Sequence, residues 1–157
     1  MVETPRTPRT PGRPPPIAFD REESSAIHTT GGALYVWGRN SEGQCGEGVP
    51  DSRPAQCVAL PHPVRGLPAP VRHVSCGTGQ QGCTLAACVD GSLWSFGNDH
   101  GGRLGHGEAY GGACQRQPRR VEALRGERIV ATACSDRHAL GLTADGLVFS
   151  WGFNARG

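Results

Sequence analysis

The sequence predicts an all-β chain made of radially repeated sheets, and three observations carry that reading. The first is a stretch written three times: Gly32-Ala33-Leu34-Tyr35-Val36-Trp37-Gly38, Gly91-Ser92-Leu93-Trp94-Ser95-Phe96-Gly97 and Gly146-Leu147-Val148-Phe149-Ser150-Trp151-Gly152. Its leading glycine returns after 59 and then 55 residues, a period that belongs to arrays of supersecondary units. The second is composition, because 24 glycines and 13 prolines in 157 residues leave little room for helix interiors. The third is a pair of hairpin signals, Asp90-Gly91 and Asp145-Gly146, each set between alternating runs. Short strands and tight turns in units of this length predict radial repetition.

Taken in order, residues 1–23 read as a disordered leader. Six prolines fall in its first sixteen positions, and such a stretch buries too little apolar area to offset its ordering entropy. Arg6, Arg9 and Arg13 beside Thr4, Thr7 and Thr10 allow a basic arm tunable by phosphorylation. A plain solvated leader is the competing reading. From Ser24 the composition changes, and Ser24 to Thr30 runs through Gly31-Gly32 into the first repeated strand as a hairpin. Alternation places Leu34 and Val36 on one face and Tyr35 and Trp37 on the other.

The glycine-rich segments Gly43 to Gly48 and Gly102 to Gly107 occupy the same offset in successive copies. They read as tight turns; no phosphate-cradling motif of the GxxxxGK[ST] type accompanies them. Residues 49–70 form a connector whose six prolines exclude a helix and a central strand. Val71 to Cys76 and Cys83 to Cys88 supply the strands before the Asp90-Gly91 turn, and His138 to Thr143 is the counterpart of Cys83 to Cys88 in the next copy. Pro118 to Val121 repeats Pro61 to Val64. The repeat units therefore divide as a partial copy to about residue 48, a second over 49–107 and a third over 108–157, where the motif breaks off.

Charge and cysteines narrow the functional classes. Formal charge is +2 from 16 basic and 14 acidic residues, and every basic residue is arginine. That balance gives the body of the chain no nucleic-acid signature and leaves such binding to residues 1–16. No run of 18 apolar residues is present for a membrane span. The seven cysteines form no CxxC, so neither a zinc site nor a disulfide scaffold is expected, and core thiols in an intracellular compartment, cytoplasmic or nuclear, are the expectation. Cys83 and Cys88 point to opposite faces of one strand, and Cys76 and Cys134 are expected in the core.

Candidate sites are few. His138 lies in a strand that reads as buried, where a ring nitrogen bonded to a neighbouring strand is the expectation and a general base is disfavoured by its Cys83 counterpart. No Ser-His-Asp order, HExxH or deaminase signature appears, so no catalytic residue, cofactor or metal ligand is assigned. A working surface would consist of loops at one rim, 39–44, 98–103, 110–116 and 153–156, carrying Arg39, Glu42, Asp99, Arg103, Tyr110, Arg116 and Arg156. Mixed charge beside tight turns suits a protein partner better than a duplex backbone. Gly32, Trp37, Gly38, Gly91, Phe96, Gly97, His138, Gly146, Trp151 and Gly152 are assigned to the scaffold.

One run carries a family resemblance: Gly105-His106-Gly107, Pro118, Val121, Ile129, Ala133-Cys134, His138-Ala139-Leu140, Asp145-Gly146 and Phe149 to Asn154. It resembles the regulator-of-chromosome-condensation repeat family. The preceding copy is similar, with Cys83 in place of the family histidine. The resemblance implies four-stranded blades in a seven-bladed propeller, of which residues 24–157 would form an incomplete ring. A fragment of a longer product, a truncated product and an arc completed by another chain are all compatible with it. It implies a protein-protein interaction module, with further blades of the same fold or a small GTPase as partner. The alternatives are guanine-nucleotide exchange on a Ran-type GTPase and chromatin or nucleic-acid tethering through the basic leader.

Overall fold

A computed structural model describes residues 25–30, 32–46, 57–77, 82–107 and 113–154, with side chains described from Gly32 onward. The leader 1–23, Tyr110 and Arg156 lie outside these residues, as does the connector between Gly46 and Cys57. Among the described residues, ten strands form three antiparallel sheets. The first contains β1 (Ser25–Thr30), β2 (Ala33–Arg39) and β3 (Cys57–Pro63). The second contains β4 (Val71–Cys76), β5 (Cys83–Cys88), β6 (Leu93–Gly97) and β7 (Gln115–Arg120), in that spatial order. The third contains β8 (Ile129–Cys134), β9 (His138–Thr143) and β10 (Val148–Gly152). Helical structure among the described residues amounts to two 3-10 turns, His100–Gly102 and Glu122–Leu124.

Sheet and sequence unit are out of phase. The strand after each glycine-rich loop, β3 or β7, turns back to close the sheet before it. Val64 and Val121 donate their backbone N–H groups to Leu34 and Leu93 at 2.8 and 2.9 Å, so the sheets divide within 64–70 and 121–128. Pro61 and Pro118, three residues before these valines, lie on edge strands beside a register slip. An edge tolerates a missing donor where a central strand would not.

Sheet packing follows the alternation. Leu34 and Val36 are buried and pack with Ala86, Cys88 and Phe96, joining the first sheet to the second. Cys83, Leu85, Ala87 and Leu93 pack with Ile129, Ala139 and Trp151, joining the second to the third. Cys83 and Cys88 thus serve opposite interfaces, as period-two geometry requires. The third sheet has one covered face. Its other face leaves Leu140 41% and Val148 65% exposed at positions equivalent to the buried Leu85 and Leu93.

The first two hairpin turns are bolted to the strand that opens the next sheet. Val71 donates to the Gly32 carbonyl at 2.7 Å and Ile129 to the Gly91 carbonyl at 2.9 Å. Gly91 has φ 90°, and a Cβ there would stand 2.8 Å from Arg128 Cγ and 3.0 Å from its Cα. Gly146 has φ 93° with open space around it. Gly146→Ala should therefore cost about 1–2 kcal/mol through backbone strain alone. Gly91→Ala should cost roughly 1–2 kcal/mol more, because Arg128 must move. Urea denaturation of the two variants checks this, and equal losses would contradict the close approach.

Two expectations are corrected. His138 is exposed, because the inward face of β9 is Ala139, Gly141 and Thr143. Its ring lies on the uncovered face of the third sheet, whereas Cys83 at the equivalent position is buried only because the third sheet covers it. The cysteines are also not all isolated. The sulfurs of Cys83 and Cys134 meet as a disulfide across the second and third sheets, with Cα atoms 7.3 Å apart, and Cys134 packs at the edge of the core it was expected to occupy.

Candidate interaction rim

The loops after β2 and β6 are built alike. Asn40 Oδ1 accepts the Cys45 N–H at 3.0 Å, and Asp99 Oδ1 accepts the Leu104 N–H at 2.8 Å. The same side-chain oxygen therefore closes the same five-residue loop, whose glycines turn it with positive φ. The following sheet then grips each loop from outside. Thr84 donates its hydroxyl to the Gln44 carbonyl at 2.7 Å, and Trp151 Nε1 donates to the Arg103 carbonyl at 2.9 Å. These rim loops are positioned by rigid strands of two sheets at once.

Side chains join the loops laterally. Glu42 Oε2 accepts from Asn98 Nδ2 at 3.0 Å and from the Cys114 thiol at 2.8 Å. Arg116 packs against the backbone of Gly43, where a Cβ would approach its Cγ to 2.7 Å. Farther along, His100 stacks on Phe153 with ring centroids 6.2 Å apart, and Arg137 lies 5.7 Å from the Phe153 centroid. Arg39 Nε donates to the Ser41 hydroxyl at 3.1 Å.

Of the residues expected to form the working surface, Arg39, Glu42 and Arg116 are partly exposed at this rim. Asp99 and Arg103 are a correction: they are 2% and 1% exposed. Asp99 is consumed by its own loop, and Arg103 Nε donates to the His100 carbonyl at 2.8 Å. Burial pushes the Arg103 pKa down, while Asp136 and Asp99 act against that shift. Asn98 and Cys114 lie in loops the sequence placed at the rim, but their part in the Glu42 bridge shows only in the structure; Arg137 lies outside those loops and sequence reasoning missed it.

The Glu42 carboxyl is held below its usual range, first by the Cys114 thiol and also by Asn98, Ser41 and Arg116, against a smaller opposing effect of burial. Burial and the facing carboxylate push the Cys114 thiol up to about 11, so it remains a proton donor at neutral pH. A carboxyl depressed in the folded chain contributes stability that is present above pH 4.5, its unperturbed value, and is lost as pH falls through the lower folded value. Glu42→Gln should therefore flatten the fall in melting temperature below pH 4.5. An unchanged acid profile would show that the bridge contributes nothing.

Ser95 and His106 make a serine–histidine contact of 2.9 Å. The Ser95 hydroxyl also lies 2.7 Å from the Leu104 carbonyl, which can only accept. Its single proton goes there, so Nε2 of the imidazole must donate to Ser95. That tautomer cannot take a proton from the serine, and the pair, with Ser95 buried and His106 half-buried, acts as a clamp between β6 and the glycine-rich loop. Among the described residues, no three His, Cys, Asp or Glu side chains converge as metal ligands, and no helix is long and apolar enough to cross a membrane.

Three successive antiparallel sheets, stacked face to face and joined by equivalent turns, define a partial β-propeller. The family model described as the regulator of chromosome condensation (RCC1) repeat matches residues 31–83 and 90–142, and a second model of that description matches 129–157. The chain belongs to the RCC1 repeat family. It is 38% identical over 144 residues to the RCC1 domain-containing protein RUG3, mitochondrial, of Arabidopsis thaliana, covering 90% of this chain and 31% of that protein. It is also 38% identical over 130 residues to the mouse secretion-regulating guanine nucleotide exchange factor, covering 82% of this chain and 25% of the relative. Yeast RCC1 (Prp20), in a crystal structure bound to Kap60, superposes with TM-score 0.66 at 22% identity, covering 82% of this chain and 30% of the solved one. The chain spans about a third or less of the length of these relatives.

Proposed function

We propose that this chain is a protein-protein interaction module that presents its rim loops to a protein partner. The observation that carries the reading is the cross-loop bridge from Glu42 to Asn98 and Cys114, which fixes loops of two sheets as one surface. Pre-ordered loops lose less entropy on binding, and the Glu42 carboxylate near Arg116, with Phe153 beside Arg137, suits a protein surface. Arg39, Arg116 and Arg137 are the side chains assigned to contact. Tyr110 and Arg156 belong to the same sequence loops and remain part of the proposal.

The test is quantitative affinity purification with the full chain. Charge reversal at Arg39, Arg116 and Arg137 should lose the partners that survive the matched reversal at Arg65, Arg72 and Arg125 on the opposite rim. An identical set of partners for both variants would reject the rim.

Guanine-nucleotide exchange is the second reading, favoured by the likeness to a relative named as an exchange factor. Release of labelled GDP from a Ran-type GTPase measures it, and no acceleration at micromolar protein would remove it. Tethering through residues 1–16 is tested by deleting them, since a counterion-release interface loses affinity steeply with salt. An intracellular location, cytoplasmic or nuclear, belongs to the same proposal.

A further inference from the structure

We propose that Cys83 and Cys134 are a reversible redox staple that fastens the second sheet to the third. This rests on their placement in the fold and is independent of any partner at the rim. Cys83 opens β5 and is fully buried at the sheet interface, whereas Cys134 ends β8 and is half-buried at the edge of the core, so Cys134 is the more exposed residue of the pair. The reduced pair is accommodated as well. The Ser135 carbonyl lies 3.7 Å from Cys83 Sγ and 3.5 Å from Cys134 Sγ, an acceptor for either thiol.

The other junction cannot form such a link. Cys76 occupies in the second sheet the place of Cys134 in the third, but the first-sheet position equivalent to Cys83 is Ser25, which pairs with Gly38 as Cys83 pairs with Gly97. Cys76 is instead engaged with the Thr84 hydroxyl at 3.2 Å, and burial pushes its pKa up to about 12. A disulfide is therefore available at one sheet junction and missing from its neighbour, although the two junctions are otherwise built alike.

The oxidant is a small-molecule disulfide such as oxidised glutathione. The Cys134 thiolate attacks one of its sulfurs, forming a mixed disulfide and expelling one glutathione thiolate. The Cys83 thiolate then attacks Cys134 Sγ, closes the protein disulfide and expels the second. The two protein thiols lose one proton each to the two leaving thiolates, and two electrons pass to the oxidant. Closing a loop with a sequence separation of 51 restricts the unfolded chain and stabilises the arc where the third sheet is covered on one side only.

The full chain is equilibrated with oxidised glutathione or with dithiothreitol, trapped with an alkylating reagent under denaturing conditions and mapped by peptide mass. Oxidation should yield the linked Cys83–Cys134 peptides and raise the melting temperature by roughly 10 °C over the reduced chain. Cys134→Ala should abolish that shift, and Cys76→Ala should preserve it. Recovery of both residues as alkylated thiols after oxidation would overturn the proposal, as would a mixed disulfide that stops at Cys134. A redox shift that persists in Cys134→Ala would also overturn it. If Cys134→Ala does not fold, the trapping of the unaltered chain decides alone.

Discussion

Gly97→Ala is expected to destabilise the chain by about 3–5 kcal/mol, a large part of the total for an ordinary domain. Two costs add. The residue has φ 109°, where a side chain is strained, and its Cβ would lie 2.5 Å from the Gly82 carbonyl oxygen and 2.9 Å from Cys83 Cα. Both obstacles are backbone. They cannot withdraw, because the Asn98 N–H donates to that same carbonyl at 2.9 Å and Cys83 is fixed in β5 opposite Gly97.

The control is Gly102→Ala, at φ 74° with nothing within 4 Å, which should cost about 1 kcal/mol. Chemical denaturation of both variants measures the difference. Equal midpoints would mean that the aromatic-glycine ending of the repeat serves flexibility alone. Gly152 repeats the arrangement against the Arg137 carbonyl, and Phe153 donates there at 2.9 Å. This explains why the motif ends in glycine in the second and third copies: the last residue of the strand must lie against the chain opening the paired strand.

That constraint was legible in the sequence as a pattern, and its cause was not. Alternation in Leu34 to Trp37 identified the faces correctly, since Leu34 and Val36 are buried while Tyr35 and Trp37 are only half-buried. Proline placed β3 away from the sheet centre, because a missing donor is a local property. His138 was misread because whether a strand face is dry depends on the neighbouring sheet, and β9 has a covering sheet on one side only. The Cys83–Cys134 meeting joins positions 51 apart in sequence, and spacing within one strand carries no information about it. Asp99 and Arg103 resembled surface charges because they sit among glycines. Yet the repeat itself held the signal, for at the same offset the first copy has Asn40 and Gln44. Both charges are absent there together.

This paired exchange leads to the second large effect. Arg103→Gln alone should cost about 3 kcal/mol, because it leaves the buried Asp99 carboxylate without the nearby guanidinium. Asp99→Asn with Arg103→Gln should recover most of the loss, since Asn40 and Gln44 already form a neutral version of this loop. In that version Asn40 accepts the Cys45 N–H, as Asp99 accepts that of Leu104, and Gln44 Oε1 accepts the Glu42 N–H at 2.9 Å. Recovery has a limit set by the Asn40 Nδ2 group, which is buried without a partner in the neutral loop; Asp136, whose charge also acts on Arg103, is exposed and keeps Arg137 at 3.9 Å. A double-mutant cycle on urea midpoints should give a coupling of about 1–3 kcal/mol between the two positions. Additive losses would show that Arg103 is held by its carbonyl contact and packing, and that the charge pair arose at those positions without mutual dependence.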